Sequence, residues 1–184
     1  MDICTAIKEV HATALEHGWW DTERDPREAV ALMHSELSEA LEEARAGRPM
    51  LYSNPEKPEK IEGVGVELID CVIRIMDFMG HYDIEYLPKS LRPSYDTSDD
   101  LLPILVCMLH SMLSMLFGFG GSGEAGINID DGKIMDTTVV GWIFSDIIDV
   151  IFQWLRNHGA SPESIFEEKA AYNKSRPYKH GKAF

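Results

Sequence analysis

The chain has 184 residues, of which 31 are acidic and 17 are basic, so its formal net charge is −14. Hydrophobic residues make up 45% of the sequence, which is typical of a globular domain with a sizeable core and too high for a disordered chain. The excess of acid argues against binding to duplex nucleic acid through a broad basic surface, but it is compatible with a nucleotide whose phosphates carry Mg²⁺.

Hydrophobic periodicity predicts helices along almost the whole chain, and strand signals are nearly absent. The predicted helices cover residues 2–17, 26–46, 61–79, 101–117, 136–157 and 162–173. Glycine or proline marks most of their ends, and the connections between them are rich in glycine, proline or serine. Helices joined by loops, without alternating strands, predict an all-α fold: a helical bundle of about five or six helices.

The apolar run at residues 101–119 and the three cysteines bear on the expected cellular location. Residues 101–119 carry no formal charge, but Pro103 and several polar side chains interrupt them, so a buried bundle helix is favoured over a membrane span. Cys4, Cys71 and Cys107 are widely spaced, and the last two lie in apolar runs, which predicts buried free thiols in a reducing compartment. No secretory signal is visible at the start of the chain, so a cytoplasmic protein without a membrane partner is expected.

A short internal similarity suggests that the chain is built from two related halves. HSELSE at 34–39 resembles HSMLSM at 110–115, and ELID at 67–70 resembles DIID at 146–149. We interpret this as a degenerate duplication of a helical hairpin, with a chance match as the alternative. The predicted organisation is a single all-α domain over residues 1–184, with pseudo-repeats at about 26–93 and 101–177 and a basic tail at 169–184.

Two pairs of carboxylates are the strongest chemical signal. Glu36 and Glu39 lie three residues apart on one predicted helix, and Glu67 and Asp70 do so on the next, so each pair projects from one helix face. Their neighbours are apolar, and acids in such a setting need partners. If the helices are antiparallel neighbours, the four side chains converge on a site for Mg²⁺ or Mn²⁺. Structural pairing with arginine is the alternative.

In the second half, methionines replace the first acidic pair, so one full metal site is expected, in the first half.

The acidic pattern resembles the all-α nucleoside triphosphate pyrophosphohydrolases, which include MazG-like proteins, dimeric dUTPases and phosphoribosyl-ATP pyrophosphatases. The segment EKAAYNKSRPYKHG is similar to the family's ending, in which a lysine, an asparagine four residues on and a following arginine lie near the substrate phosphates. Those positions are Lys169, Asn173 and Arg176 here. The resemblance covers most of residues 2–80 and 142–182, and GWWD and RPYKHG are reminiscent of MazG-like proteins in particular. The second hairpin is a departure from the family pattern.

The resemblance implies a Mg²⁺-dependent enzyme (Mn²⁺ possible) that hydrolyses a nucleoside triphosphate to the monophosphate and pyrophosphate, working as a homo-oligomer such as a dimer. Glu36 and Glu39 would have catalytic roles, and together with Glu67 and Asp70 they would hold the metal. The candidate substrate-binding residues are Lys169, Asn173, Arg176, Lys179, Trp19 and Trp20.

Each assignment has a plainer alternative. The basic tail could be a solvated, frayed terminus, and the two adjacent tryptophans could be core anchors instead of a stacking surface for a nucleobase. The rival to the enzyme is a non-catalytic helical bundle that serves oligomerisation or nucleotide sensing.

Overall fold

The computed structural model describes residues 1–87, 101–117 and 126–181. These residues form an all-α bundle, as the periodicity predicts, together with one short antiparallel hairpin and a 3₁₀ turn. The helices are α1 (Ile3–Glu16), α2 (Pro26–Arg45), α3 (Val64–His81), α4 (Leu102–Met115), α5 (Thr137–Asn157) and α6 (Pro162–Ser175). The hairpin pairs β1 (Tyr52–Ser53) with β2 (Ile61–Glu62), and the 3₁₀ turn covers Tyr178–Gly181.

Helix α3 is the centre of the bundle and contacts α1, α2, α5 and α6. It is apolar almost all round, and residues such as Ile69, Val72 and Ile75 are fully buried. A helix of this composition has no face that favours water, so its neighbours must surround it. The consequence for function is that the few charged groups on α3 lie inside the protein or at its inner clefts.

Helices α2 and α3 are antiparallel neighbours, which is the arrangement that the acidic pairs require. Glu36 contacts Arg74 near the middle of both helices, whereas Met50, beyond the end of α2, accepts a hydrogen bond from the backbone of Gly65 at the start of α3 (2.9 Å). Residues later in the chain after α2 therefore contact earlier residues of α3, as they do in antiparallel helices.

The prediction that α3 begins at residue 61 is wrong. Residues 61 and 62 form β2, and the helix starts only after Gly63, whose φ of 121° few residues other than glycine adopt. A Cβ at Gly63 would also lie 2.7 Å from the carbonyl oxygen of Pro49. The sharp turn at this glycine separates the hairpin from the helix, and hydrophobic periodicity does not register such a turn.

The prediction that Gly80 ends α3 is also wrong, because the helix continues to His81. Gly80 instead faces α1, where a Cβ would lie 2.5 Å from the Cβ of His11. The glycine therefore permits a close approach of two helices and has no capping role here.

The described part of the basic tail is anchored to the loop after α1. Lys179 donates its backbone N–H to the carbonyl of His17 (3.0 Å), and Nε2 of His17 lies 2.8 Å from the carbonyl oxygen of Arg176. The ring of Tyr178 covers Gly18, whose φ is 75° and whose position leaves no room for a Cβ. The backbone of the tail is therefore held at Arg176 and Lys179 by contacts with His17.

Gly18→Ala should release this anchor. The variant adds backbone strain at a positive φ and a clash with Tyr178, so we expect a loss of about 1–2 kcal/mol in the free energy of unfolding and faster tryptic cleavage at Lys179. Gly47→Ala is the matched control, since Gly47 has a similar φ of 69° and a Cβ added there would have no neighbouring atom within 4 Å. Equal cleavage rates in both variants would show that Tyr178 does not hold the tail.

Two equivalent histidines of the proposed repeats meet between α2 and α4. The Nδ1 atoms of His34 and His110 are 2.7 Å apart, and the rings are nearly parallel. One turn later, Ser38 and Ser114 donate to the carbonyls of these same histidines. This contact brings the two similar motifs together, and the duplication itself stays a prediction. The end of the first pseudo-repeat, residues 88–93, lies outside the described residues.

The apolar run after residue 101 forms α4, a helix of 14 residues. Cys107 is exposed on it, contrary to the expectation of burial, whereas Cys71 on α3 is buried as expected. Within the described ranges, α5 is the one helix long and apolar enough to cross a membrane, and 67% of its apolar window is buried in the protein. Such burial is typical of a core helix.

Candidate metal centre and cleft

Three carboxylates converge between α2 and α3. Glu36 projects from α2, and Glu67 and Asp70 project from α3 one turn apart; one ligand atom from each lies within 4.8 Å of the others. Carboxylate oxygens are the ligands that Mg²⁺ and Mn²⁺ prefer, so the chemistry of this donor set fits either ion. In the part of the chain that the structure describes, no other group of three potential ligands is this close.

Glu39, the fourth predicted ligand, lies outside this group. It is exposed on α2 and accepts a hydrogen bond from the hydroxyl of Ser35 (3.0 Å). Burial is the main cause of the raised pKa of Glu36, Glu67 and Asp70, and the charge of Glu39 adds to it, so Glu39 lies at the solvent edge of the cluster. A step of three residues turns a helix by about 300°, which places Glu36 inward and Glu39 towards the rim. Metal binding by Glu39 stays a prediction.

Burial and mutual repulsion favour the protonated state of the cluster. The side chain of Glu36 is almost fully buried, and burial raises its pKa. Burial, followed by repulsion from Asp70 and Glu36, raises the pKa of Glu67 to about 8. A divalent cation would remove this repulsion, and its binding would release protons near neutral pH.

Two cations already neutralise part of the cluster. Nε of Arg74 donates to Oε1 of Glu36 at 2.6 Å, and Nζ of Lys169 on α6 donates to Oδ2 of Asp70 at 2.6 Å. Among the described residues, no basic side chain is within ion-pair distance of Glu67. Structural pairing, the alternative left open by the sequence, is therefore present for two of the three acids.

Arg74 is the residue that the sequence analysis missed. It follows Asp70 by four residues on the same helix, so the two side chains share a face. A single base within the apolar run VGVELIDCVIRIM, one turn after a buried acid, was the signal that could have identified it.

A cleft of about 780 Å³ opens beside the cluster, between α1, α2, α3 and α6. Its volume lies in the range of small-molecule binding sites. Its charged lining residues are the acids Glu9, Glu16, Glu36, Asp70 and Asp77 and the bases Arg24, Arg74, Lys169, Lys174 and Arg176; Asn173 and Trp19 also line it. Acidic and basic groups are therefore both present in the cleft.

The structure separates the predicted substrate-binding residues into two sets. Lys169, Asn173, Arg176 and Trp19 line the cleft, whereas Lys179 and Trp20 are not among its lining residues.

Trp20 is engaged in packing. Its ring stacks on His81 with centroids 3.5 Å apart, and its indole N–H donates to the carboxylate of Asp77 (2.9 Å). These contacts fit the core-anchor alternative for Trp20, whereas Trp19 is among the residues that line the cleft.

The hairpin before α3 is fixed by a polar network at Glu62. Lys60 and Asn54 both donate to its Oε1, at 2.6 and 2.8 Å, and together they lower the pKa of Glu62 to about 2. Glu62 lies two residues before α3, the helix that carries Glu67. The network therefore lies next to the start of α3 in the sequence.

Replacing Glu62 with glutamine should destabilise the protein in a pH-dependent way. Because the pKa is lower in the folded state than its ordinary value of 4.5, the carboxylate stabilises the fold above pH 4.5, and this contribution disappears as the pH falls towards 2. We expect a loss of about 1–2 kcal/mol at pH 7 that shrinks below pH 4.5. Urea unfolding of Glu62→Gln and of the exposed control Glu56→Gln measures it; a pH-independent difference would contradict the assignment.

The corresponding acids of the second half are in a different environment. Asp146 is buried on α5, and Asp149 accepts a hydrogen bond from the hydroxyl of Tyr86 (2.7 Å). In addition, Ser145 accepts a hydrogen bond from the backbone of Leu87 (2.9 Å). The segment after α3 thus packs against this region of α5.

A comparison with protein-family models, curated proteins and solved structures found no match to this chain. The chemical interpretation therefore depends on the geometry of the cluster and its cleft.

Proposed function

We propose that the protein is a Mg²⁺-dependent nucleoside triphosphate pyrophosphohydrolase, with Mn²⁺ as a possible substitute, that converts an NTP or dNTP to the monophosphate and pyrophosphate. The observation that carries the proposal is the convergence of Glu36, Glu67 and Asp70 beside a cleft that Glu36 and Asp70 line. Buried like charges destabilise a fold unless a cation compensates them, and here one acid of the three lacks a basic partner among the described residues.

The chain supplies a clear division of roles. Mg²⁺ held by Glu36, Glu67 and Asp70 would polarise the scissile α-phosphate and lower the pKa of a water molecule. Glu39, which is exposed on α2, would accept the proton of that water. Arg176 also lines the cleft, and its guanidinium would bind the leaving pyrophosphate.

The remaining lining residues fit the other parts of a nucleotide. Asn173 can hydrogen-bond to phosphate or sugar oxygens, and Trp19 offers an aromatic face to the base. Phosphoryl transfer depends mainly on positioning and charge neutralisation, both of which this arrangement supports.

The cellular location, oligomeric state and partners of the protein are part of the same proposal. We propose a cytoplasmic homo-oligomer, such as a dimer, that binds neither duplex nucleic acid nor a membrane. The net charge of −14 supports the absence of duplex binding, and the buried face of α5 supports a core role for the most apolar long helix. Exposed apolar side chains on α4, including Ile104 and Met115, support association of copies.

A non-catalytic, nucleotide-sensing bundle is the second candidate. It is favoured by the ion pairs of Arg74 with Glu36 and of Lys169 with Asp70, because they neutralise two acids without any metal.

The two candidates are separated by a turnover assay. The protein is incubated with a panel of NTPs and dNTPs in Mg²⁺, in Mn²⁺ or in EDTA, and pyrophosphate and monophosphate are measured together. Equimolar release of both products that requires the metal is the expected result. The absence of turnover of every triphosphate, combined with saturable nucleotide binding, would favour the sensor.

A further inference from the structure

We propose that Arg74 is a polyphosphate-binding residue: in the metal-free protein Glu36 holds it, and loading of the acidic cluster with a divalent cation releases it into the cleft. This inference rests on the proposed function, because it assumes that the cluster binds a metal and that the cleft binds a phosphate chain. It adds Arg74 to the proposed site, and it states that metal binding precedes the contact between Arg74 and phosphate.

The position of Arg74 gives it access to both partners. Its Nε donates to Glu36 at 2.6 Å, and its side chain also lines the cleft. The side chain is 36% exposed, compared with 7% for Lys169, the other base paired with the cluster. Arg74 therefore has room to rotate away from its carboxylate, whereas Lys169 is enclosed by protein.

The chemistry of the guanidinium is suited to binding phosphate in the cleft. Arginine carries five N–H donors, and only Nε is used in the pair with Glu36, so its terminal nitrogens remain available for a second acceptor. Planar donor pairs match phosphate oxygens in a bidentate manner. The same residue can thus contact Glu36 in one state and a phosphate in the other.

Electrostatics couples the two states. In the metal-free site, Arg74 lowers the repulsion among Glu36, Asp70 and Glu67. A divalent cation between these carboxylates does the same more effectively and repels the guanidinium at short range. Metal binding must therefore compete with Arg74 for Glu36. A phosphate chain in the cleft would give the displaced guanidinium of Arg74 a new partner.

Removal of Arg74 should move the two affinities in opposite directions. For Arg74→Gln we expect Mn²⁺ to bind the nucleotide-free protein at least about 3-fold more tightly, because a competitor for Glu36 is lost. At saturating Mg²⁺, inorganic tripolyphosphate should bind at least about 10-fold more weakly, because a charge-assisted contact is lost. Calorimetric titration measures both, and neither measurement depends on turnover or on the identity of the base.

Two variants serve as controls. Arg45→Gln removes the same charge from the exposed end of α2, where Arg45 pairs with Glu42, and should leave both affinities within about 2-fold. Arg74→Lys keeps the charge without the planar fork, and we expect it to bind Mn²⁺ like the parent and tripolyphosphate with intermediate affinity. It also keeps the test decisive if Arg74→Gln loses its helical circular dichroism.

The outcomes distinguish this inference from the proposed function. Opposite shifts in a protein that hydrolyses no triphosphate would support the role of Arg74 and contradict the enzyme. Weakening of both affinities in Arg74→Gln, or unchanged tripolyphosphate binding, would overturn the role of Arg74 even in a protein that shows metal-dependent turnover.

Discussion

Replacing Glu67 with glutamine is expected to abolish the proposed Mg²⁺-dependent turnover while making the metal-free protein more stable. Glu67 is the cluster acid that lacks a basic partner among the described residues, so a neutral amide removes a proposed metal ligand and also a source of repulsion. We expect a loss of at least about 100-fold in Mg²⁺-dependent turnover, comparable to the loss of a strong electrostatic contact to a transition state. Pyrophosphate release measures this loss.

The gain in stability has a defined pH dependence. The pKa of Glu67 is about 8 in the folded protein and ordinarily 4.5, so the folded state binds the proton more tightly and stability falls as the pH rises from 4.5 to 8. Glu67→Gln removes this decline. In EDTA at pH 8, we expect the variant to exceed the parent by about 2 kcal/mol in free energy of unfolding, and the gap to close towards pH 4.5.

Three substitutions on α2 complete this experiment. Glu36→Gln should resemble Glu67→Gln in activity, whereas the exposed control Glu42→Gln should leave activity and stability unchanged. Glu39→Gln tests the proton-acceptor role and should lower turnover while leaving the helical circular dichroism intact. Full activity in Glu39→Gln would remove Glu39 from the site, and full activity in Glu67→Gln would contradict the metal centre itself.

Replacing Lys169 with methionine is expected to destabilise the metal-free protein strongly. Lys169 is buried and lies 2.6 Å from Asp70, so methionine keeps most of the packing but leaves a carboxylate without its cation. Breaking a buried ion pair in this way costs about 3 kcal/mol. Urea unfolding in EDTA measures the loss, and Lys174→Met, an exposed position on the same helix, is the control.

Divalent cations should reverse much of this loss. Mg²⁺ at the cluster would supply positive charge to Asp70, and it should bind Lys169→Met more tightly than the parent because no lysine competes for that carboxylate. At the same Mg²⁺ concentration, the tighter binding stabilises the variant more than the parent. The difference between Lys169→Met and the parent should therefore narrow in saturating Mg²⁺. An equal difference with and without Mg²⁺ would show that Lys169 acts on packing and not on the charge of the cluster.

Local signals in the sequence were sufficient for the helices and for most of the acidic cluster. The spacing of Glu67 and Asp70, and the apolar residues around them, predict that both lie on one inward face, and they do. The same reasoning reaches its limit at Glu39, which lies three residues along α2 from Glu36 and shares the helix but lies at the rim. Periodicity predicts which face of a helix carries a side chain, but it does not predict whether that side chain lies at the buried centre or at the exposed edge of the face.

Contacts between distant segments were not predictable in the same way. Gly80 has the sequence signature of a helix end, but the proximity of α1 gives it another role. Similarly, Trp19 and Trp20 are equivalent in the sequence, and only the positions of Asp77 and His81 separate the packing residue from the one that lines the cleft. Tertiary packing decides such cases.

The ion pair between α3 and α6 has a consequence for biosynthesis. Asp70 leaves the ribosome long before Lys169, so the nascent chain carries the acidic cluster without the lysine that neutralises Asp70. Contacts between residues so far apart in the chain form late, after the long intervening loop has closed. Ribosome-bound intermediates that end before α6 would therefore hold Asp70 without its lysine, and the cleft would acquire Lys169 and Arg176, two of its basic lining residues, only after α6 has been synthesised.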